Sequence, residues 1–208
     1  MIISDTKKFV FIHVPKAGGS SVRAVLNPYA TVIPWQHRVG KLHGSKNKLL
    51  TKHVSASVVR KHIGVHNWSD YFSFAFVRNP WDRVVSNYFY ARTHQALAKH
   101  KIARAKSFTD FVLWYAQEGA LQKSNKFKLV PGAAYVSYGN KKIVSFLGKF
   151  ESLERDFLHV CKRLKIMAQL PHVNRSVHKP YRDYYIKRTR EVVAKLFAQD
   201  IHMFGYRF

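Results

Sequence analysis

Residues 9–26, FVFIHVPKAGGSSVRAVL, pass from an unbroken apolar run through Pro15-Lys16-Ala17-Gly18-Gly19-Ser20-Ser21 into a segment with helical spacing. The reading is a strand that feeds a tight turn and then a helix. Glycines let a ligand approach the backbone closely, and the first N–H groups of a helix carry positive potential. Lys16 adds a full charge. Such a turn suits a phosphate or a sulfate. The nucleoside-triphosphate loop G-x-x-x-x-G-K-[ST] is absent, because the lysine here precedes the glycines. A ligand-free strand-turn-helix is the competing reading of this stretch taken by itself.

Residues 74–90, FAFVRNPWDRVVSNYFY, repeat the pattern with Arg78, Arg83 and Ser86. Arg78 falls just past the strand end, where a guanidinium can hold a phosphate by two parallel hydrogen bonds. Ser86 adds a hydroxyl from what reads as the exposed early face of the following helix. Two anion-binding turns in one chain imply a ligand with two anionic ends. Buried parallel strands ending at a common sheet edge would present both turns to it.

With both motifs in view, the chain resembles the PAPS-dependent sulfotransferases, in particular the carbohydrate branch, largely Golgi-resident in animals and also found in bacteria. PKAGGSS resembles that family's 5′-phosphosulfate loop, and VRNPWDRVVSNY its 3′-phosphate motif. Gly148-Lys149-Phe150-Glu151-Ser152-Leu153 followed by Asp156-Phe157, and residues 170–208 with His172, Asn174, Ser176, Tyr181, Tyr184 and a terminal FGYRF, resemble two further family elements. The resemblance implies one three-layer α/β/α domain over residues 1–208, with a mainly parallel central sheet and a P-loop-like sulfotransferase fold. It further implies that Lys16, Ala17, Gly18, Gly19, Ser20 and Ser21 hold the phosphosulfate of PAPS, that Arg78 and Ser86 grip its 3′-phosphate, and that His178 and Lys179 reach the 3′-phosphate or adenine side. PAP would be the product, and no metal is required.

Composition bears on the acceptor. The formal net charge is +25, and between Asp5 and Asp70 there is no acidic residue, against eleven Lys or Arg and six His. Most single lysines are solvated surface charge, but the collective field favours an anionic partner. The expected acceptor is a carbohydrate, in particular an acidic polysaccharide or glycan. Two other classes remain open here. A basic nucleic-acid-binding module would explain the charge, yet no helix-turn-helix, zinc-finger or RNA-recognition signature is present, and no specific nucleic acid is expected. A nucleotide kinase-like phosphoryl-transfer enzyme would need a magnesium-binding acid after a strand, and the acid near the second strand, Asp82, falls within the helix turn.

Cys161 is the single cysteine, which excludes an intrachain disulfide and reads as a buried thiol on an amphipathic helix. No run approaches a transmembrane length, and MIISDTKKF lacks a secretory core, so a cytoplasmic location is expected, unlike the anchored animal relatives. Neither repeats nor a Pro/Gly/Ser linker divides the chain. Strands are expected over residues 9–14 and 74–77. Helices are expected over 20–26, 56–62, 81 to about 99, 108–118, 153–165 and 182–199, with loop over 27–47 and no assignment for 121–139.

The resemblance points to Lys16 as the residue that stabilises charge on the leaving phosphate. His53 is the candidate base, since relatives carry a histidine in this position before the second motif, and neutral imidazole accepts a proton near physiological pH. Cationic neighbours keep it neutral. Some uronosyl 2-O-sulfotransferases have two histidines one residue apart, and Thr51 stands where the first would be. His13 reads as a core or supporting residue. His62 and His66 lack the carboxylate or cysteine neighbours of a zinc site. Glu151 and Asp156 read as helix-start or ion-pair residues. Trp81, Tyr88 and Tyr90 read as core, with Trp81 also able to stack on a base.

Overall fold

The computed structural model describes residues 1–32, 51–93, 105–118, 130–171 and 178–208. In chain order the elements begin with β1 (Ile2–Ser4), β2 (Phe9–Ile12), α1 (Gly19–Leu26), α2 (Ala56–Ile63), α3 (Val65–Asp70) and β3 (Phe72–Val77). Next come α4 (Pro80–Thr93), α5 (Phe108–Glu118), α6 (Ala133–Val136), β4 (Ser137–Tyr138) and β5 (Lys141–Lys142). The chain finishes with β6 (Phe146–Lys149), α7 (Leu153–Leu164), α8 (Lys187–Leu196) and α9 (Ala198–Phe204). Contacts divide it into two compact units: residues 1–77 with 132–174, and residues 78–131 with 175–208.

The first unit holds a four-stranded sheet in the order β1-β2-β3-β6. β2, β3 and β6 are parallel, and β1 lies antiparallel against β2 with Ile3 opposite Val10. The mainly parallel α/β sheet expected from sequence is therefore present. Alternation sends Phe9, Phe11, Phe74 and Phe76 to one face, where they meet Val22 and Leu26 of α1 and Phe157, Val160, Cys161 and Leu164 of α7. Each such side chain contributes about 1.5–3 kcal/mol on full burial. Val10, Ile12, Ala75 and Val77 on the opposite face are equally buried. Burial on both faces is why these strands read as continuous apolar runs.

Two strands of the four-stranded sheet escaped sequence reading. β1 has only three residues, and in β6 only Gly148 is fully buried, so neither shows an apolar period. A Cβ on Gly148 would fall 2.4 Å from the Phe76 ring across the register pair Phe76↔Gly148. β6 needs a glycine there. Asp156 joins β6 to α7: its Oδ2 accepts the Lys149 N–H at 2.8 Å and the Ser152 hydroxyl at 2.9 Å, which confirms a helix-start role. Burial alone would raise its carboxyl, but these hydrogen bonds and Arg155 outweigh that and lower it. Cys161 is buried and its thiol is pushed up by desolvation, as expected of an inert core cysteine.

The second unit is built on α4, α5 and α8, with Trp81, Val84, Val85, Tyr88, Phe108, Phe111, Tyr115, Val193 and Phe197 in its core. α4 starts at Pro80, one residue earlier than expected, because Asn79 caps it by accepting the Trp81 N–H at 3.0 Å. Tyr90 is 41% exposed and corrects its assignment to the core. Trp81 is buried, its indole N–H donates to the Arg190 carbonyl, and its ring meets Phe208. It is a core residue.

The single helix expected over 182–199 is instead a 3-10 turn at Tyr181–Tyr184 followed by α8 and α9. Tyr185, in extended conformation, donates its hydroxyl to the Trp81 carbonyl at 2.9 Å, and Thr189 closes the start of α8 on the Ile186 backbone. Buried Phe197 then breaks the helix again. Tertiary anchoring overrides the apolar period. Expectations for residues 33–47, 94–99 and 121–129, and for His172, Asn174 and Ser176, lie outside the described residues. Inside them, residues 27–32 form a 3-10 turn, Asn27–Tyr29, and a bridge from Val32 to Ile3, while 133–138 form α6 and β4.

Candidate functional site

The turn between β2 and α1 is shaped by two left-handed residues, Lys16 at φ 65° and Gly18 at φ 75°. The Gly18 carbonyl accepts the Ser21 N–H at 3.1 Å and the Val22 N–H at 3.4 Å, opening α1. Glycine is required twice. A Cβ on Gly18 would lie 2.6 Å from Leu153 and 3.1 Å from Phe150, and one on Gly19 would lie 2.2 Å from Cδ2 and 2.4 Å from Nε2 of His13. The turn is thus packed between the histidine that follows β2 and the segment that links β6 to α7. Lys16 and Ser20 are half-buried, Ala17 and Ser21 buried, and the first turn of α1 carries no acid. Backbone N–H groups and one lysine give this turn positive potential.

His53 belongs to the same unit and sits beside His13, ring centroids 4.6 Å apart and edge to face. Its Nδ1 lies 2.9 Å from the His13 carbonyl. A carbonyl only accepts, so Nδ1 carries the proton and Nε2 holds the lone pair. Burial, the cations Lys52 and Arg23, and the Met1 ammonium push His53 down to about 4, against the partial support of the His13 carbonyl. His13 is lowered well below its ordinary range by burial and by the same cations. The Met1 ammonium donates to the Lys52 carbonyl at 2.6 Å. Among the described residues, every charged group acting on the histidine pair is positive, which matches the acid-free interval of the sequence.

The second motif leaves β3 directly, Arg78 following Val77. Arg78 is 8% exposed, and its Nε and Nη2 donate to the two carboxylate oxygens of Asp82 at 2.8 and 2.9 Å. Asp82 holds the guanidinium as well as complementing the α4 dipole. Ser86 is only 3% exposed, which corrects its placement on an exposed face: the early part of α4 is buried almost all round. Arg83 is no surface cation either. Its guanidinium lies 3.4 Å from Asp200 and donates to the Val130 carbonyl at 2.8 Å, with both ion-pair members at most 2% exposed.

Asn79, which sequence reasoning passed over, donates to the Arg207 carbonyl at 3.0 Å and ties the terminal FGYRF to the start of α4. Phe208 packs on Trp81, Tyr181 and Tyr185, with the Arg190 guanidinium 4.5 Å from its centroid. His178 stacks on Phe89 of α4 at 5.4 Å, and its Nδ1 bonds the Lys179 carbonyl. Lys179 donates its backbone N–H to Tyr184 and is exposed. The first unit therefore brings Lys16 to Ser21 together with His53. The second gathers Arg78, Ser86, His178 and Lys179 on or beside α4. No cluster of three metal-ligating side chains occurs among the described residues, and no helix among them is long and apolar enough to cross a membrane.

The sequence profile of the sulfotransferase family matches residues 1–207. The chain belongs to the sulfotransferase family. An uncharacterized protein of Archaeoglobus fulgidus is 29% identical over 133 residues, which is 61% of this chain and 96% of that protein. Among solved structures, mouse sulfotransferase SULT7A1 complexed with PAP matches with a TM-score of 0.57 at 16% identity, covering 96% of this chain and 85% of that one. That likeness establishes the sulfotransferase fold, and family and fold together support sulfuryl transfer as the reaction of this enzyme.

Proposed function

We propose that the enzyme moves the sulfuryl group from PAPS to a hydroxyl of an anionic carbohydrate, such as an acidic polysaccharide or glycan. In this reading residues 1–208 act as a single cytoplasmic sulfotransferase domain. The backbone of Lys16, Ala17, Gly18, Gly19, Ser20 and Ser21 holds the phosphosulfate. Arg78 and Ser86 grip the 3′-phosphate, with His178 and Lys179 on the nucleotide's outer side. That β2 and β3 are neighbouring parallel strands whose following turns leave the same sheet edge supports these roles. The mouse structure's bound PAP supports the donor.

Chemically, the acceptor oxygen forms a bond to sulfur as the bridging bond from sulfur to the 5′-phosphate breaks, and PAP departs. Lys16 stabilises the charge gathering on that phosphate. The acceptor proton passes to Nε2 of His53, whose tautomer is fixed by the His13 carbonyl. The observation that carries the base assignment is this hydrogen bond, which holds His53 in the form able to accept a proton. The acceptor's charge rests on the acid-free interval from Asp5 to Asp70.

Labelled PAPS with a panel of polysaccharides tests the reading. Label should pass to uronic-acid-containing or sulfated chains, and Arg78→Ala should abolish saturable PAP binding. A neutral sugar labelled faster than every acidic one overturns the acceptor class, and full PAP affinity in Arg78→Ala overturns the donor grip.

A further inference from the structure

We propose that His13 is a positioning residue that couples the donor loop to the base: its ring buttresses Gly19, while its ring and carbonyl orient His53. The second half rests on His53 being the base. His13 is the first residue past β2, so its backbone is fixed by the sheet, and its side chain is only 3% exposed. The ring fills the space where a Gly19 side chain would stand, with Cδ2 and Nε2 2.2 and 2.4 Å from that position. It stacks on Phe11 with centroids 5.8 Å apart, and meets the His53 ring edge to face with centroids 4.6 Å apart and planes at 66°. One side chain thus touches the start of α1, the sheet and the candidate base.

Packing alone does not account for an imidazole here. The His13 Nδ1 is buried without a hydrogen-bond partner among the described residues, which costs free energy that an apolar side chain would avoid. A flat five-membered ring is narrow enough to lie against the bare Cα of Gly19 and still leave His53 its place. Kept uncharged by burial and by its cationic neighbours, it adds no further repulsion. The Thr51 substitution gains a context: this chain has a histidine pair after all, with the partner of His53 supplied by the end of β2.

The test uses the purified chain with Gly19→Ala, His13→Ala, the double variant and His13→Asn, measuring PAP affinity, turnover and melting temperature. Gly19→Ala should weaken PAP binding by about 30-fold or more through loop displacement, and His13→Ala added to it should restore affinity to within about five-fold of the parent. His13→Ala alone should leave PAP affinity within about three-fold while kcat drops about ten-fold or more, with part of the loss recovered in His13→Asn. The acid limb of kcat/KM, set by His53 near 4, should climb as water reaches the ring.

A double variant that binds PAP no better than Gly19→Ala overturns the buttress. A His13→Ala enzyme with parental kcat and an unmoved acid limb overturns the coupling. If the parent fails to bind PAP, or His53→Ala keeps full turnover, the proposed function falls instead. The contact is then decided by melting temperature: a double variant more stable than Gly19→Ala upholds it, and one equally or less stable removes it.

Discussion

Arg83 stands in the motif that resembles a phosphate grip, yet its surroundings make it a stability residue, and replacing it separates the two roles. Its guanidinium is 1% exposed, pairs with Asp200 at 3.4 Å, donates to the Val130 carbonyl at 2.8 Å and lies 5.9 Å from the Phe197 centroid. Arg83→Met keeps the length and apolar stem but withdraws the charge from a carboxylate that is itself 2% exposed. Breaking a buried pair from one side costs about 3–5 kcal/mol, because the remaining charge stays desolvated. For a chain of this size each kcal/mol moves the melting temperature by about 2–4 °C, so the drop should be about 6–20 °C.

Adding Asp200→Leu removes the buried carboxylate as well and should return most of that loss, leaving a deficit of about 1 kcal/mol for the Val130 carbonyl. Urea denaturation of the four proteins of the cycle, with PAP titration of each folded protein, measures both quantities. Arg83→Met should bind PAP with parental affinity. A single-variant loss below about 1 kcal/mol, or a double variant as unstable as the single, would refute the buried-pair argument. Loss of PAP affinity with unchanged stability would return Arg83 to the ligand.

Three further outcomes follow from local geometry. Gly18→Ala places a Cβ 2.6 Å from Leu153 at φ 75°, and backbone strain plus overpacking should cost about 2–5 kcal/mol in denaturant melts. Lys165→Gly should instead stabilise by about 0.5–1 kcal/mol, because Lys165 caps α7 in the left-handed region at φ 53°, and the same melts would show it. His53, ordinarily near 6.5, titrates near 4 when folded, so its neutral form is favoured by folding. The stability it contributes is complete above pH 6.5 and should be lost progressively as pH falls to 4, by up to about 3 kcal/mol, a slope that His53→Gln should flatten in pH-dependent melts.

The legible parts of the fold were those with a strong local signal. FVFI and FAFV are buried on both faces, so their apolar runs are uninterrupted, and each ends at a proline-containing turn. The helix starts at Gly19, Ala56, Phe108 and Leu153 were equally readable, each lying within one residue of expectation. β6 was not, because its place in the sheet is specified by Phe76 lying across Gly148 and by Asp156 bonding the Lys149 N–H. Neither partner is adjacent in sequence. The same holds within the candidate site. Glycines and Lys16 mark a candidate anion-binding turn locally, but the burial of Ser86 and Arg83 depends on α5, α8 and α9, more than twenty residues away. An isolated acid in an apolar stretch, Asp200 in LFAQDIHMF, was the available hint that one of the motif's arginines had a partner inside the protein.

The wall behind Gly18 is made by Phe150 and Leu153, and the strand that delivers them pairs with β3 across an interval with α4 and α5 inside it. During synthesis, therefore, the glycine turn leaves the ribosome well before its backing, which does not exist until residue 153 has been added. A nascent chain stopped short of that point would expose an apolar sheet edge and an unsupported turn together. Support for the proposed donor turn should accordingly arrive abruptly, with the docking of β6.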